Sequence, residues 1–219
     1  MAIVFPVAAC ADGVLLRIYR GPEDFVGPDG VWHFAAVWSC WSAADWEVAC
    51  PGWSLLPLIE EPPADTAILR YSRRPKAAWS IGADAVTVTY APTEIPLAER
   101  RAAVVADVKK LSDWRLQMGA PVANKRIDVS DKGRADLAGM ALAALLAQAG
   151  AAPWSEGYSE GWITQNNSRM PLPEPTDGLA LAAAVGDWYG RTVQHARSLK
   201  DEALASDTPE GIDLGAGWP

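Results

Sequence analysis

The stretch TDGLALAAAVGDWYGRTVQHARSLKDEALA, residues 176–205, decides how the second half of the chain is read. Leu181, Val185, Trp188, Thr192, Ala196, Leu199 and Ala203 recur at steps of three and four. That is the period of an ordinary packed helix rather than of a strict heptad coil. The spacing predicts one long helix over about Thr176–Ala205 with a single buried face. Working backwards, Gly161–Pro171 reads as a hairpin turning at Asn166-Asn167, because asparagine tolerates positive φ. Ser130 or Asp131 is placed to cap a helix that runs through Ala149 and is stopped by Gly150 and Pro153. Leu137 to Trp154 carries no charge, but its alanines, Gly139, Gln148, Gly150 and Pro153 favour a buried core helix over a membrane span. Arg126–Ser130 suits a short strand. Leu97–Met118 carries Val104, Val108, Leu111 and Trp114 on one predicted face and ends at Gly119 and Pro121.

Before Leu97 the pattern is that of strands and turns. Ile3–Ala9 and Val14–Arg20 are β-rich runs joined by Asp12-Gly13, a two-residue hairpin signal. Trp32, Phe34 and Ala36 alternate with His33, Ala35 and Val37, which predicts a strand. Thr66–Ser72, Ala77–Ile81 and Ala85–Tyr90 are further strand candidates, and Ala91–Pro96 reads as a proline-bounded linker. The expected organisation is a tryptophan-rich β region over 1–65, a β-hairpin unit with its linker over 66–96, and a helical domain over 97–219. The fold class is therefore α+β: small antiparallel β units followed by a mainly helical domain with a short hairpin.

Composition narrows the function classes. The 219 residues carry a net charge of -8, and half are hydrophobic, enough to bury a core. Residues 1–96 hold 6 Lys/Arg against 11 Asp/Glu, and residues 97–219 hold 13 against 16, so neither half has a basic stripe. An acidic chain is repelled by phosphate backbones and by anionic lipid, so neither nucleic acid nor membrane insertion is expected. Arg70, Arg73, Arg74 and Lys76 read as a charged hairpin edge. Val7-Ala8-Ala9-Cys10 has the look of a lipoprotein cleavage box, but no basic segment precedes it. Cys10, Cys40 and Cys50 form no C-x-x-C pair and are expected to be reduced, buried thiols.

Chemistry-bearing constellations are sparse. His33 sits beside Trp32, and His195 sits on the long helix near Arg191 and Arg197, where a surface or interface role is expected rather than that of a base. Glu60 with Glu61, Asp128 with Asp131, and Glu156 with Glu160 are carboxylate pairs, but hydrolysis needs two acids held across a substrate at a set separation. No catalytic residue, metal ligand or cofactor-binding residue is assigned. The strongest signal is Trp32, Trp38, Trp41, Trp46 and Trp53, five of the chain's 11 tryptophans within 22 residues. Indoles at this density serve as core, as an intersubunit contact or as a sugar-stacking platform. Five of them exceed what a small β unit readily buries, so the five are interface candidates.

From Val86 onward the chain is similar to a known family. The run VTVTYAPTEIPLAERRA, residues 86–102, resembles a junction in tailed-phage tail-fibre and tail-fibre-assembly proteins, where a last strand and a proline linker lead into an alanine-rich helix. The features of an uncharacterised domain at the C-terminal end of many such proteins follow in order. They are a helix ending in Gly119, Asn124–Ser130, a second helix, Trp162–Asn167, Met170–Leu172, a long helix containing Ala196–Asp201, and the Gly217-Trp218-Pro219 ending. The N-terminal third falls outside the likeness. The resemblance implies a non-enzymatic structural protein of a phage tail (tail tip, baseplate or fibre attachment) that is made in the host cytoplasm and resides in the virion tail. The implied partners are copies of itself, other tail proteins and, as an alternative, host-surface polysaccharide. A tail-fibre assembly chaperone is the other implied role. That family has no established catalytic residues, so none is transferred.

Overall fold

A computed structural model describes residues 3–219, which divide into two compact units meeting between Ile95 and Pro96. The chain is α+β, with strands concentrated in the first unit and helices in the second. Among the described residues no helix is long and apolar enough to cross a membrane.

In the first unit β1 (Val7–Ala11) and β2 (Val14–Tyr19) form the expected hairpin. Asp12 and Gly13 both take positive φ, 51° and 75°, the two-residue turn whose twist matches its strands. β3 (Phe25–Val26) and β4 (Trp32–His33) make a short ribbon, and α1 (Val37–Cys40), α2 (Ala43–Ala49) and β5 (Trp53–Ile59) follow. β6 (Leu69–Arg73), β7 (Ser80–Ile81), β8 (Val86–Thr87) and β9 (Tyr90–Glu94) complete the unit. The main sheet has the order β2-β1-β5-β8-β7, antiparallel except where β5 runs parallel to β8 through Leu58↔Val86.

The run Val7-Ala8-Ala9-Cys10 lies in β1, an interior strand of that sheet between β2 and β5. Successive residues of a strand face opposite sides. Val7 and Ala9 accordingly enter an aromatic core with Tyr19, Phe25 and Trp38, while Ala8 and Cys10 enter a second core with Leu58, Trp79, Val86 and Val88. The first four residues of β1 are buried, which requires the small side chains found there.

Three expectations for this half are corrected. The strand foreseen at Trp32–Ala36 stops at His33, because the Ala35 amide is held by Asp24 Oδ1 at 2.7 Å and the chain turns into α1. The linker foreseen at Ala91–Pro96 is mostly β9, paired along its length with β6. A two-stranded ribbon leaves each strand an edge, the position in which a proline such as Pro92 is tolerated. The foreseen separation of 1–65 from 66–96 is absent, since β7 and β8 belong to the same sheet as β1.

The second unit contains α3 (Leu97–Met118), β10 (Ala120–Val122), β11 (Lys125–Ile127), α4 (Asp131–Gln148), α5 (Glu156–Ser159), β12 (Trp162–Ile163), β13 (Arg169–Met170) and α6 (Pro175–Ala205). α6 is the axis. All seven residues of its expected stripe are buried, against α3 on one side and α4 on the other. Ile127, Leu137, Met140, Leu172, Leu181, Val185 and Trp188 form one cluster, and Val108, Ala196 and Leu199 form another. Ser130 accepts from the Gly133 amide and caps α4, and Asn167 turns the β12–β13 hairpin at φ 57°. The region read as one strand at Arg126–Ser130 is a hairpin, β10–β11, turning at Ala123 and Asn124. Gly119 stands at φ 75°, and a Cβ there would lie 2.5 Å from the Ile127 carbonyl oxygen, so this helix end needs glycine.

Two helix faces differ from expectation. Trp114 is 53% exposed, and Ser112 takes the buried position, because α3 presents Val108 and Ser112 inward and Arg115 toward the C-terminal segment. α4 is buried along Leu137, Met140 and Ala144 only, and its other side is open.

The last residues fold back onto α3 and α6. Trp218 packs with Val104, Val108, Ile212 and Leu214, under the guanidinium of Arg115 and edge-on to His195. His195 Nε2 lies 3.0 Å from the Ala216 carbonyl, and Trp188 Nε1 donates to Pro219. Arg100 pairs with Glu210 at 2.8 Å, and Arg101 donates to the Ser206 carbonyl. A half-buried tryptophan with a cation on its face stabilises by packing and by cation–π attraction. Trp218→Ala is expected to cost the second unit about 2–3 kcal/mol, less than the ~3–5 of a fully buried tryptophan. Urea unfolding followed by circular dichroism measures this. Residues 96–219 expressed alone are expected to give a helical spectrum and one cooperative transition.

Candidate functional site

The first unit gathers the tryptophans that the sequence singles out, and their places differ. Trp38, on α1, is 5% exposed and sits among Phe5, Tyr19, Phe25 and Trp46 with ring centroids 4.7 to 5.5 Å apart. Its indole N–H donates to the Glu23 carbonyl at 2.8 Å. Trp38 therefore belongs to the core of its own unit, not to a surface. Trp46, on α2, stacks on Phe25 with an interplanar angle of 13°, and Trp41 meets Trp46 edge-on. Trp53 opens β5 against the same Phe25. These three are half-buried. Phe25 thus lies at the hub, and the expectation that a β unit this small leaves several indoles over is corrected. Two short helices absent from the sequence reading supply the missing core volume.

α2 is held in place by its first turn. Ser42 Oγ accepts from the Asp45 amide, and the Asp45 carboxylate accepts from the Ser42 amide at 2.7 Å, a reciprocal cap. Those hydrogen bonds hold the Asp45 carboxyl below the usual range.

The half-buried tryptophans leave a cleft of about 380 Å³ walled by Trp41, Trp46 and Trp53, with Glu47, Ser54 and Leu55 at its sides. Cys50 lies on its floor. Burial, with the Asp29 carboxylate adding to it, pushes that thiol up to about 11. Burial likewise raises Cys10. Neither is a nucleophile near neutral pH, since the thiolate is the reactive form. Cys40 is exposed rather than buried as expected, because α1 ends with it on the outer side. Trp46 Nε1 and His33 Nε2 are buried without a hydrogen-bond partner among the described residues.

Trp32 alone of the five is a surface residue, 57% exposed. On the β3–β4 ribbon, Phe25 and His33 pair inward, so Val26 and Trp32, the other cross-strand pair, face out. Val31 and the 69%-exposed Phe34, neighbours of this ribbon strand in sequence, are exposed apolar residues as well. Arg17 and Glu23, paired with each other, lie beyond the hairpin.

Four acids of the three carboxylate pairs have partners of their own. Glu60 is engaged by Arg73 at 3.2 Å, with Arg20 nearby. Asp128 accepts from the Ser130 amide and hydroxyl, Asp131 pairs with Arg134, and Glu160 pairs with Arg169 at 3.1 Å. His195 secures the C-terminal segment. Among the described residues no group of three His, Cys, Asp or Glu side chains is placed to hold a metal ion.

Two outcomes test this layout. Trp38→Ala is expected to destabilise the first unit by about 3–5 kcal/mol, and Trp32→Ala by less than about 0.5, in urea unfolding followed by near-ultraviolet circular dichroism. Thiol labelling of the native chain is expected to modify Cys40 rapidly and to reach Cys10 and Cys50 only on unfolding. The Cys50 thiol ionises near its ordinary value of 9.0 when unfolded and near 11 when folded, so unfolding releases a proton between those values. The melting temperature of the first unit is accordingly expected to fall as pH rises from about 9 to about 11, and a Cys50→Ser variant is expected to show a weaker dependence, the raised Cys10 thiol keeping the remainder.

Comparison with curated proteins finds no match, and comparison with solved structures finds none. One family pattern does match, over residues 99–216, a span that runs from the first turn of α3 to the segment holding Trp218 and takes in the whole helical unit built on α6. With more than half of its length matched, the chain belongs to the family described as a domain of unknown function, DUF4376.

Proposed function

We propose that this protein is a non-enzymatic structural component of a phage tail, at the tail tip, baseplate or fibre attachment, contributing to tail assembly and host attachment. It is made in the host cytoplasm and ends in the virion tail, in contact with other tail proteins. The likeness of residues 86–219 to tail-fibre and tail-fibre-assembly proteins supports the setting. The residues that carry that likeness have folding jobs here: Gly119 ends a helix, Asn124 turns a hairpin, and Trp218 closes the helical unit. Glu60, Asp131 and Glu160 are each engaged by an arginine, and Asp128 by the Ser130 cap.

The observation that carries the assembly role is the exposure of Val26, Val31, Trp32 and Phe34. Single exposed apolar residues are ordinary, but these are exposed close together in sequence, two of them aromatic, the composition of a protein-docking hot spot. A docked Trp32 would bury an indole while its neighbours exclude water, and truncating such an anchor costs on the order of 2 kcal/mol or more. That is roughly thirtyfold in affinity.

The test replaces Trp32 and Phe34 together by alanine and measures incorporation into purified particles, adsorption to host cells, and the fold of the variant by circular dichroism. The expected result is a folded protein that is poorly incorporated. Normal incorporation with lost adsorption would replace the docking role by receptor recognition, with polysaccharide as the probe ligand. A protein absent from wild-type particles but required for fibre maturation would instead be an assembly chaperone.

A further inference from the structure

We infer that α4 pairs with the α4 of a second copy of this chain, antiparallel and centred on Leu142. α4 is buried along one face and bare along the other, where Leu142, Leu145 and Leu146 are 58%, 53% and 43% exposed. Ala135, Ala138, Gly139 and Ala149 share that side and are exposed too. A helix face turned to water normally carries charge, yet from Leu137 to Trp154 there is none.

Gly139 lies on this open face. A glycine in a helix interior costs about 1 kcal/mol relative to alanine. At Gly178 a Cβ would strike Met140 Sδ at 2.6 Å, and at Gly133 it would strike Asp128, whereas Gly139, like Gly186 and Gly190 of α6, stands open. At Gly139 a Cβ would meet nothing within 4 Å. The chain leaves a gap there that its own described residues do not fill. The gap opens into a groove of about 470 Å³ lined by Ala135, Gly139, Tyr158, Trp162 and Ile163, with Asp128 and Asp136 at its edge.

The free face is complementary to itself. In an antiparallel pair about a two-fold axis at Leu142, the positions that meet share a flank, which at about 100° per residue pairs the third residue before Leu142 with the fourth after it, and the fourth before with the third after. Gly139 then faces the partner's Leu146, Ala138 faces the partner's Leu145, and Ala135 faces the partner's Ala149. Each large side chain meets a small one, and each copy's Leu146 enters the groove beside the other's Gly139, a knob into a hole. Charge favours the same arrangement. Two chains of net charge -8 repel, and this strip is where they can touch without opposing charges of like sign. Antiparallel helix dipoles attract, and Lys132 at one end comes to the negative C-terminal end of the partner's helix.

The exposed parts of the three leucines, the alanines and Ile163 amount to roughly 500 Å² per copy, about 1,000 Å² in all, the lower bound for a specific interface. A reversible dimer is therefore expected rather than an obligate one. The residues of the pairing surface all belong to the second unit.

Sedimentation of the full chain across a thousandfold concentration range is the test, with Leu142→Glu and Leu142→Lys as variants. Both sit on an exposed helical site where charge does not impede folding, which circular dichroism checks. The wild type is expected to pass from monomer to dimer, and each variant to dimerise at least tenfold more weakly. An equimolar mixture of the two is expected to recover dimer, because Glu and Lys then meet at the axis. Gly139→Ala is expected to raise the melting temperature of dilute monomer and to weaken the dimer. A wild type that stays monomeric throughout, that forms trimers, or whose dimer is indifferent to both Leu142 variants would overturn the inference.

Discussion

An indole has a large apolar body and one N–H that must find an acceptor once it leaves water. This chain, with 11 tryptophans and only three phenylalanines, is organised by that requirement. Five indoles donate to backbone carbonyls, and each bond ties a loop or terminus to a core: Trp38 to Glu23, Trp79 to Arg74, Trp154 to Leu172, Trp188 to Pro219 and Trp218 to Leu214. An amide–carbonyl bond adds about 1 kcal/mol net, while leaving either partner buried and unpaired costs about 1–3. The bonds are therefore worth most as constraints on where irregular segments lie.

The two units use this device differently. The first has little helix and many turns, and it fills its interior by crowding aromatic rings around Phe25 above an inner strand of small residues. The second has a long axis, α6, and spends its tryptophans at the ends of that axis, where Trp188 and Trp218 hold the returning C-terminal segment. Asp128 is engaged in a cap and Glu60 in an ion pair, and Cys50 is held protonated by burial. Two apolar groups stay on the outside, Trp32 with Phe34 in one unit and the leucine face of α4 in the other.

Local signals determined much of the chain. The α6 stripe, the bounds of α3, the Ser130 cap, and the turns at Asp12-Gly13 and Asn166-Asn167 were all legible, because periodicity, capping and positive φ act within a few residues of their cause. The β10–β11 hairpin was not, since it turns on Ala123 and Asn124 without a glycine to announce it. Two-residue strands such as β7 and β8 were drawn too long or misplaced, because their pairing partners, not their own residues, make them strands. The tryptophans were visible as a cluster, but which of them turn inward was not: an indole satisfies core and surface equally, and the spacing 32, 38, 41, 46, 53 follows no single period. Tertiary structure alone decided that Trp38 is core and Trp32 is surface, through the Asp24–Ala35 hydrogen bond that ends β4 and starts α1. It also decided that α4 keeps one face bare, because burial depends on what lies across from a side chain, and that neighbour is not written in the adjacent sequence.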